Sequence, residues 1–180
     1  MKRIFAMILM STVGLINHAV AATTEADAAY TASMNSAEST YDIAHAKCDM
    51  LSGNPKDVCL AQAKAARIRA EETAKMRYQN TESVRTNAAK AMAQADYEVA
   101  VTKCDNQNGN AQDVCKKQAE AIMITAISTV EANEKISDIR ANARAEKHKA
   151  EYNVALEKCA AVSFKNKDAC VANAKKQFAQ

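Results

Sequence analysis

The sequence predicts an all-α protein, in which disulfide-stapled antiparallel helical hairpins form an elongated helical bundle. Only 3 of the 180 residues are glycine and 1 is proline, too few for an all-β chain that depends on turns. Alanine is very frequent, with 39 copies, and Lys, Glu, Gln and Arg fill much of the rest, all strong helix formers. The 6 cysteines fall into three equally spaced pairs, each within the same local sequence.

The first 22 residues, called the leader below, have the pattern of a secretory signal peptide. Lys2 and Arg3 precede an apolar run over 4–16, and small residues at 19–22 supply a cleavage site. Removing 1–22 leaves about 158 residues, one ordinary domain. The net charge then falls from +3 to +1, with 22 basic against 21 acidic side chains.

This charge balance and the absence of a later apolar run limit the partners. A nearly neutral chain lacks the basic patch that nucleic-acid binding requires, so we expect no nucleic-acid partner. No run of 18 or more apolar residues follows the leader, which predicts no transmembrane anchor. The segment 23–40 is rich in Ala, Ser and Thr and is expected to be helical or partly frayed.

Residues 41–180 contain three copies of one unit, and the copies share a consensus. They begin at Tyr41, Tyr97 and Tyr152 and read Y-x-[IV]-A-x-x-K-C, then ten residues, then C-x-x-x-A. The likeness extends upstream, where VRTNAAKAMAQADY precedes the second tyrosine motif and IRANARAEKHKAEY the third. This is an internal repeat of one structural unit.

Each unit is expected to be a helix, a tight turn and an antiparallel helix. Gly53 and Gly109 suit the left-handed residue that ends a helix, and Asn54 and Asn110 then cap the next one. Pro55 fits the first helical position. The acidic capping-box partners are predicted to be Asp57 and Asp113.

The third unit departs from this turn. Phe164 and Lys165 replace the Gly-Asn pair, so Ser163 or Asn166 is expected to cap instead, and Asp168 keeps the acidic place. Terminal repeats are often atypical in this way.

Six cysteines in an exported chain favour disulfides, and the spacing selects one pairing of the 15 that are conceivable. The predicted bridges are Cys48–Cys59, Cys104–Cys115 and Cys159–Cys170. Ten intervening residues fit neither zinc ligation nor a C-x-x-C redox motif. No metal, cofactor or catalytic residue is predicted.

Two interpretations of the connecting segments compete. The runs from Pro55 to 105 and from 111 to 162 contain about 50 residues each and no Gly or Pro beyond Pro55 itself, and each is either one long helix or two helices. Breaks would fall near Gln79–Thr81 and near Asn133–Ser137, where cap-type residues collect. Unbroken helices are the favoured interpretation.

The other repeated positions have a structural interpretation beside a functional one. The lysine directly before the first cysteine of each unit is expected to complement the carboxyl end of a helix rather than to activate the thiol. The tyrosines pack against the partner helix near its second cysteine rather than form a binding stripe. The repeat-motif residues are Tyr41, Lys47, Asp57, Tyr97, Lys103, Asp113, Tyr152, Lys158 and Asp168.

The motif Y-x-[IV]-A-x-x-K-C-D…G-N-x-x-D-V-C…A-K resembles a group of small exported, Ala/Lys-rich proteobacterial proteins, some labelled cell-envelope or TolA-like. The likeness covers 41–66, 97–122 and 152–177. It implies a periplasmic location in a Gram-negative bacterium and carries no known activity.

These features favour a non-enzymatic periplasmic protein of the cell envelope that binds other envelope proteins through its helical faces. The alternative is a stress-related binder of metal or misfolded protein, and a thiol oxidoreductase is the third hypothesis. Self-association stays open, since alanine-rich helices also associate between chains.

Overall fold

The computed structural model describes residues 17–178 of the chain, with side chains from residue 24 onward, and every regular element in this part is an α-helix. The first three helices are α1 (Asn17–Cys48), α2 (Asn54–Tyr78) and α3 (Glu82–Cys104). Two more follow, α4 (Asn110–Ala160) and α5 (Phe164–Gln177). The all-α prediction is confirmed. Most of the expected leader, residues 1–16, lies outside the described residues.

Each repeat is a helical hairpin closed by a disulfide, as predicted. The bridges join Cys48 to Cys59, Cys104 to Cys115 and Cys159 to Cys170. Their Cα atoms lie 5.6, 5.7 and 5.6 Å apart, the usual separation for a disulfide. The three bridges therefore hold the α1–α2, α3–α4 and α4–α5 hairpins with nearly the same separation of the two cysteines.

In the first two hairpins, the residue that caps the second helix is not the predicted one. Gly53, at φ +60°, occupies the N-cap position of α2, and its carbonyl accepts the first hydrogen bonds of that helix. Asn54 is the first helical residue rather than the cap, so Pro55 is the second. Gly109 has φ +58° and accepts from two amides in the same way. A positive φ favours glycine, which explains its place in two units.

The third turn caps α5 with Ser163, one of the two residues expected there. Its carbonyl accepts the amide of Asn166 at 2.9 Å. Asp168 lies beyond the first turn of α5, so it does not occupy the capping-box place that the sequence suggested.

The two connecting segments behave differently, which corrects the expectation that both are unbroken. The first breaks at Gln79–Thr81, where Thr81 caps α3 by accepting the amide of Val84 at 3.2 Å. Arg85 reaches back to the carbonyl of Asn80 and fixes the turn from the other side. The second segment is uninterrupted, because α4 runs through 133–137.

The described chain forms two compact units, which divide within α4 between Ala126 and Ile127. In the first unit, α2 packs against both α1 and α3. The expected 23–40 segment is part of α1 and is anchored there, with Ala37 only 4% exposed. The second unit contains the α4–α5 hairpin.

Alanine and cysteine form the apolar core. Among the described residues, every buried hydrophobic side chain is one of these two. No buried leucine, isoleucine, valine or phenylalanine occurs in this part of the chain. Small side chains let helix backbones approach closely, but they bury little apolar area per residue.

Candidate interaction surface

The repeat motif first builds the hairpin ends. The leading cysteine of each pair is fully enclosed, with Cys48, Cys104 and Cys159 at 0%, 1% and 2% exposure. The alanine four residues after the second cysteine is buried in all three units. These alanines are Ala63, Ala119 and Ala174, at 6%, 6% and 5% exposure. The C-x-x-x-A motif therefore describes one helical turn that faces the partner helix.

Tyr41 packs on the partner helix, as its repeated position suggested, but farther from the disulfide than expected. The Arg67 guanidinium lies 4.4 Å from the centre of its ring, a cation–π contact. Arg67 also pairs with the Glu38 carboxylate at 3.2 Å. Its buried Nε lies 3.5 Å from Glu71 Oε1, a charge contact rather than a hydrogen bond.

Tyr152 repeats this arrangement with a different partner. Its ring centre lies 5.9 Å from that of Phe178, which also contacts His148 edge-on at 5.1 Å. Phe178 and Arg67 each follow their second cysteine by eight residues. Tyr97 instead lines a shallow groove together with Tyr41, on either side of Leu60 and Lys64 of α2.

The repeated lysines and aspartates lie at helix ends. Lys47, Lys103 and Lys158 are exposed in the last turns of α1, α3 and α4, where a cation complements the helix dipole. Asp57 and Asp113 are in the first turns of α2 and α4. These positions match the structural interpretation of the lysines.

A second aspartate, which was not predicted from the sequence, crosses the turn. Lys56 donates to the Asp49 carboxylate at 3.0 Å, and this contact lowers the pKa of Asp49. In the second repeat, Asp105 occupies the same place and pairs with Lys116 at 2.7 Å and with Gln112 at 3.0 Å. The signal was available, since both aspartates directly follow the first cysteine.

The far end of the α1–α2 pair carries an aromatic contact that the sequence analysis also missed. The rings of Tyr30 and Tyr78 stack with their centres 4.7 Å apart. The Tyr78 hydroxyl donates to the Asp27 carboxylate at 2.6 Å, which raises the pKa of Tyr78. Tyr30 and Tyr78 lie almost equally far along the chain from their own hairpin's cysteines, so antiparallel pairing brings them together.

A groove of about 690 Å³ runs along α1 and α2, and Tyr41 and Arg67 are among its lining residues. Seven of its fifteen lining residues are alanine, and its arginines include Arg67, paired with Glu38, and Arg69, paired with Asp96. The lining alanines are Ala32, Ala37, Ala44, Ala63, Ala66, Ala70 and Ala74.

Several large apolar side chains are exposed, and the others are half-buried rather than enclosed. Ile122 is 72% exposed, Ile139 66% and Phe164 95%. Contiguous exposed apolar residues mark interaction surfaces more often than isolated ones do. The residues above 40% exposure are Ile43, Met50, Leu51, Tyr78, Val114, Ile122, Ile124, Ile136, Ile139, Val154 and Phe164.

Neither a metal-ligand cluster nor a membrane-spanning stretch occurs in the described part of the chain. Within residues 24–178, no three His, Cys, Asp or Glu side chains lie together as a metal site would require. Over the described part of the chain, the helices lack a stretch both long and apolar enough to cross a bilayer.

Taken together, the hairpins and the exposed faces define a class: a disulfide-stapled all-α repeat protein. No protein-family model, curated protein or solved structure matches this chain.

Proposed function

We propose that this chain is a non-enzymatic structural and interaction protein of a bacterial cell envelope. It is exported to the periplasm through the leader at 1–22 and binds other envelope proteins through its helical faces. Three disulfides support an oxidising compartment, where such bonds form and persist.

The observation that carries this proposal is the inverted distribution of apolar side chains. The core contains alanine and cysteine, whereas Ile43, Met50 and Ile122 are more than half exposed. A folded chain that keeps its larger apolar residues in water gains free energy when a partner covers them. The α1–α2 groove offers a second surface of the same small-residue character.

Location and interaction can be tested together by site-specific photo-crosslinking in cells that export the full chain. The crosslinker replaces Ser33, which lines the groove, or Asn35, which is exposed on the opposite side of the same helix. We expect discrete, reproducible adducts with envelope proteins from position 33 only. An unprocessed chain that keeps its leader and stays in the cytoplasm would contradict the proposal. Equal labelling from both positions would also contradict it. Substrate turnover by the purified chain would contradict its non-enzymatic part.

Binding of misfolded protein is the second candidate, and the alanine-lined groove favours it. A groove of small apolar residues can accept an extended peptide with apolar side chains. Isothermal titration of the oxidised chain with a reduced, unfolded client distinguishes the two functions, with copper and zinc titrated in parallel for metal binding. Saturable client binding that photo-crosslinks through position 33 would favour the second candidate.

A further inference from the structure

Helix α4 exposes both halves of an interface that the first unit of the structure already contains. The existing interface is the one between α2 and α3. Asn54 of α2 donates to the carbonyl of Thr102 at 2.6 Å, and Lys64 pairs with Glu98 at 2.8 Å. Ala88 and Ala95 lie on the same face of α3 as Thr102, at seven-residue steps, and are 0% and 4% exposed.

The α2 side of this interface recurs in the first half of α4, where it is uncovered. The repeat offset of 56 residues places Val114, Ala121 and Ile124 where α2 has Val58, Ala65 and Ile68. We call Val114, Ala121 and Ile124 the first-half face. Val114 is 47% and Ile124 52% exposed, and Ala121 is exposed, whereas Ala65 is only 5% exposed.

The α3 side recurs in the second half of α4, also uncovered. An offset of 55 residues places Ile139, Ala143 and Ala150 where α3 has Val84, Ala88 and Ala95. We call Ile139, Ala143 and Ala150 the second-half face. Ile139 is 66% exposed, and both alanines are exposed although their counterparts are buried.

The first connecting segment breaks at residues 79–81, so α3 folds back on α2. The second connecting segment does not break. An uninterrupted helix cannot fold back on itself, so α4 cannot repeat the α2–α3 packing within one chain. We propose that a second copy of this chain covers α4: the first-half face of one copy packs antiparallel against the second-half face of the other, and reciprocally. The inference stands whether or not the proposed function is correct.

The charges of α4 favour this antiparallel arrangement. Residues 110–134 carry four acidic and two basic side chains, a net charge of −2, and residues 135–160 carry six basic and four acidic, a net charge of +2. Antiparallel pairing places each half opposite the half of opposite sign. A parallel pair would instead align like charges.

The repeat also predicts the register of the pair. Residues that face one another across α2 and α3 are arranged symmetrically about the turn at residues 79–81. The equivalent centre in α4 is near Lys135. Lys135 is therefore expected opposite Lys135 of the second copy, a contact that no single chain can make.

Sedimentation equilibrium of the full oxidised chain tests the proposal. We expect a dimer at about 100 µM, a concentration at which even a micromolar affinity is saturated. Ile124→Glu and Ile139→Glu each bury an unpaired charge and should raise the dissociation constant by about tenfold or more. Ile122 lies on the same helix but off the first-half face and is somewhat more exposed, so Ile122→Glu should change the dissociation constant by less than about twofold.

Amine crosslinking of a mixture of light and heavy isotope-labelled chains tests the register. A mixed-isotope Lys135–Lys135 peptide is the expected product. A monomer at this concentration, an Ile122→Glu effect equal to that of Ile124→Glu, or a dimer without this crosslink would overturn the proposal. A monomer would leave the α4 faces to a different protein.

Discussion

At the scale of single residues, alanine determines how closely these helices pack. Ala63, Ala119 and Ala174 occupy one position of the repeat, and each is almost fully enclosed by the partner helix. An alanine there adds no side-chain entropy cost and leaves no cavity. A larger side chain would have to push the two helices apart beside a disulfide that holds them together.

Ala63→Leu should therefore destabilise the chain by about 1–3 kcal/mol, the usual cost of overpacking. Ala66→Leu is the matched control, because Ala66 is exposed on the same helix, and we expect a change within about 0.5 kcal/mol. Urea denaturation followed by circular dichroism measures both. An Ala63→Leu chain as stable as the control would show that the helices are not in close contact at this position.

Tyr78 is expected to titrate later than an ordinary tyrosine. Its hydroxyl donates to the Asp27 carboxylate, which favours the protonated form and raises its pKa above 10.0. The raised pKa in the folded state means that this contact stabilises the chain below pH 10 and is lost as the pH rises through the folded value. Ultraviolet difference titration measures the shift, with Asp27→Asn as the variant that should abolish it. An unchanged titration of Tyr78 in Asp27→Asn would exclude Asp27 as the cause.

At the scale of elements, one cap decides whether a connecting segment bends. Thr81 accepts the Val84 amide and starts α3, and Arg85 fixes Asn80 beside it. The repeat places Lys135 and Ile136 at the corresponding positions of α4. Neither side chain can accept a hydrogen bond from a helix amide, so neither can start a new helix at the position that Thr81 occupies in the first segment.

Thr81→Ala removes this cap and should cost about 0.5–2 kcal/mol of stability. Thr31→Ala is a suitable comparison. Thr31 lies in the middle of α1 on its exposed side, and its hydroxyl donates to the Asp27 carbonyl one turn earlier. A mid-helix alanine there should be neutral or slightly stabilising. Equal effects of the two substitutions on the thermal midpoint would contradict the capping role of Thr81.

Each disulfide should make a separable contribution at the same scale. In the chain-entropy account, closing a loop across 11 residues stabilises a protein by about 3 kcal/mol. Cys104→Ser with Cys115→Ser should lose about that amount in denaturant unfolding. Intact mass and peptide mapping without reductant should still find the Cys48–Cys59 and Cys159–Cys170 bridges. New pairings among the remaining cysteines would show that the hairpins do not select their own partners.

The hairpins could be predicted from the sequence, but the helix break and the Tyr30–Tyr78 contact could not. The repeat and its cysteine spacing were enough to predict the hairpins and their bridges, because both are local in the chain. Composition does not distinguish the break at Gln79–Thr81 from an unbroken segment, since cap-type residues also collect at Asn133–Ser137, where α4 continues. The Tyr30–Tyr78 contact was missed because no motif joins residues so far apart.

At the scale of the whole molecule, the described core buries unusually small side chains. The large apolar residues that normally supply the heat-capacity change of unfolding are half-buried or exposed, and none is fully enclosed among the described residues. We expect the monomer's heat-capacity increment to fall below the usual value of about 12–15 cal/mol/K per residue. Differential scanning calorimetry of the Ile124→Glu variant measures it without a contribution from dimer dissociation. A value inside the usual range would indicate a larger apolar core than the described residues contain.

The order of the cysteines along the chain has a consequence for biosynthesis. Each bridge joins a cysteine to the next one in sequence, and no bridge crosses another. A polypeptide threaded through a membrane from its amino terminus would present these thiols two at a time. An oxidase that joins successive thiols as they emerge would complete the native set directly, with no step left for an isomerase.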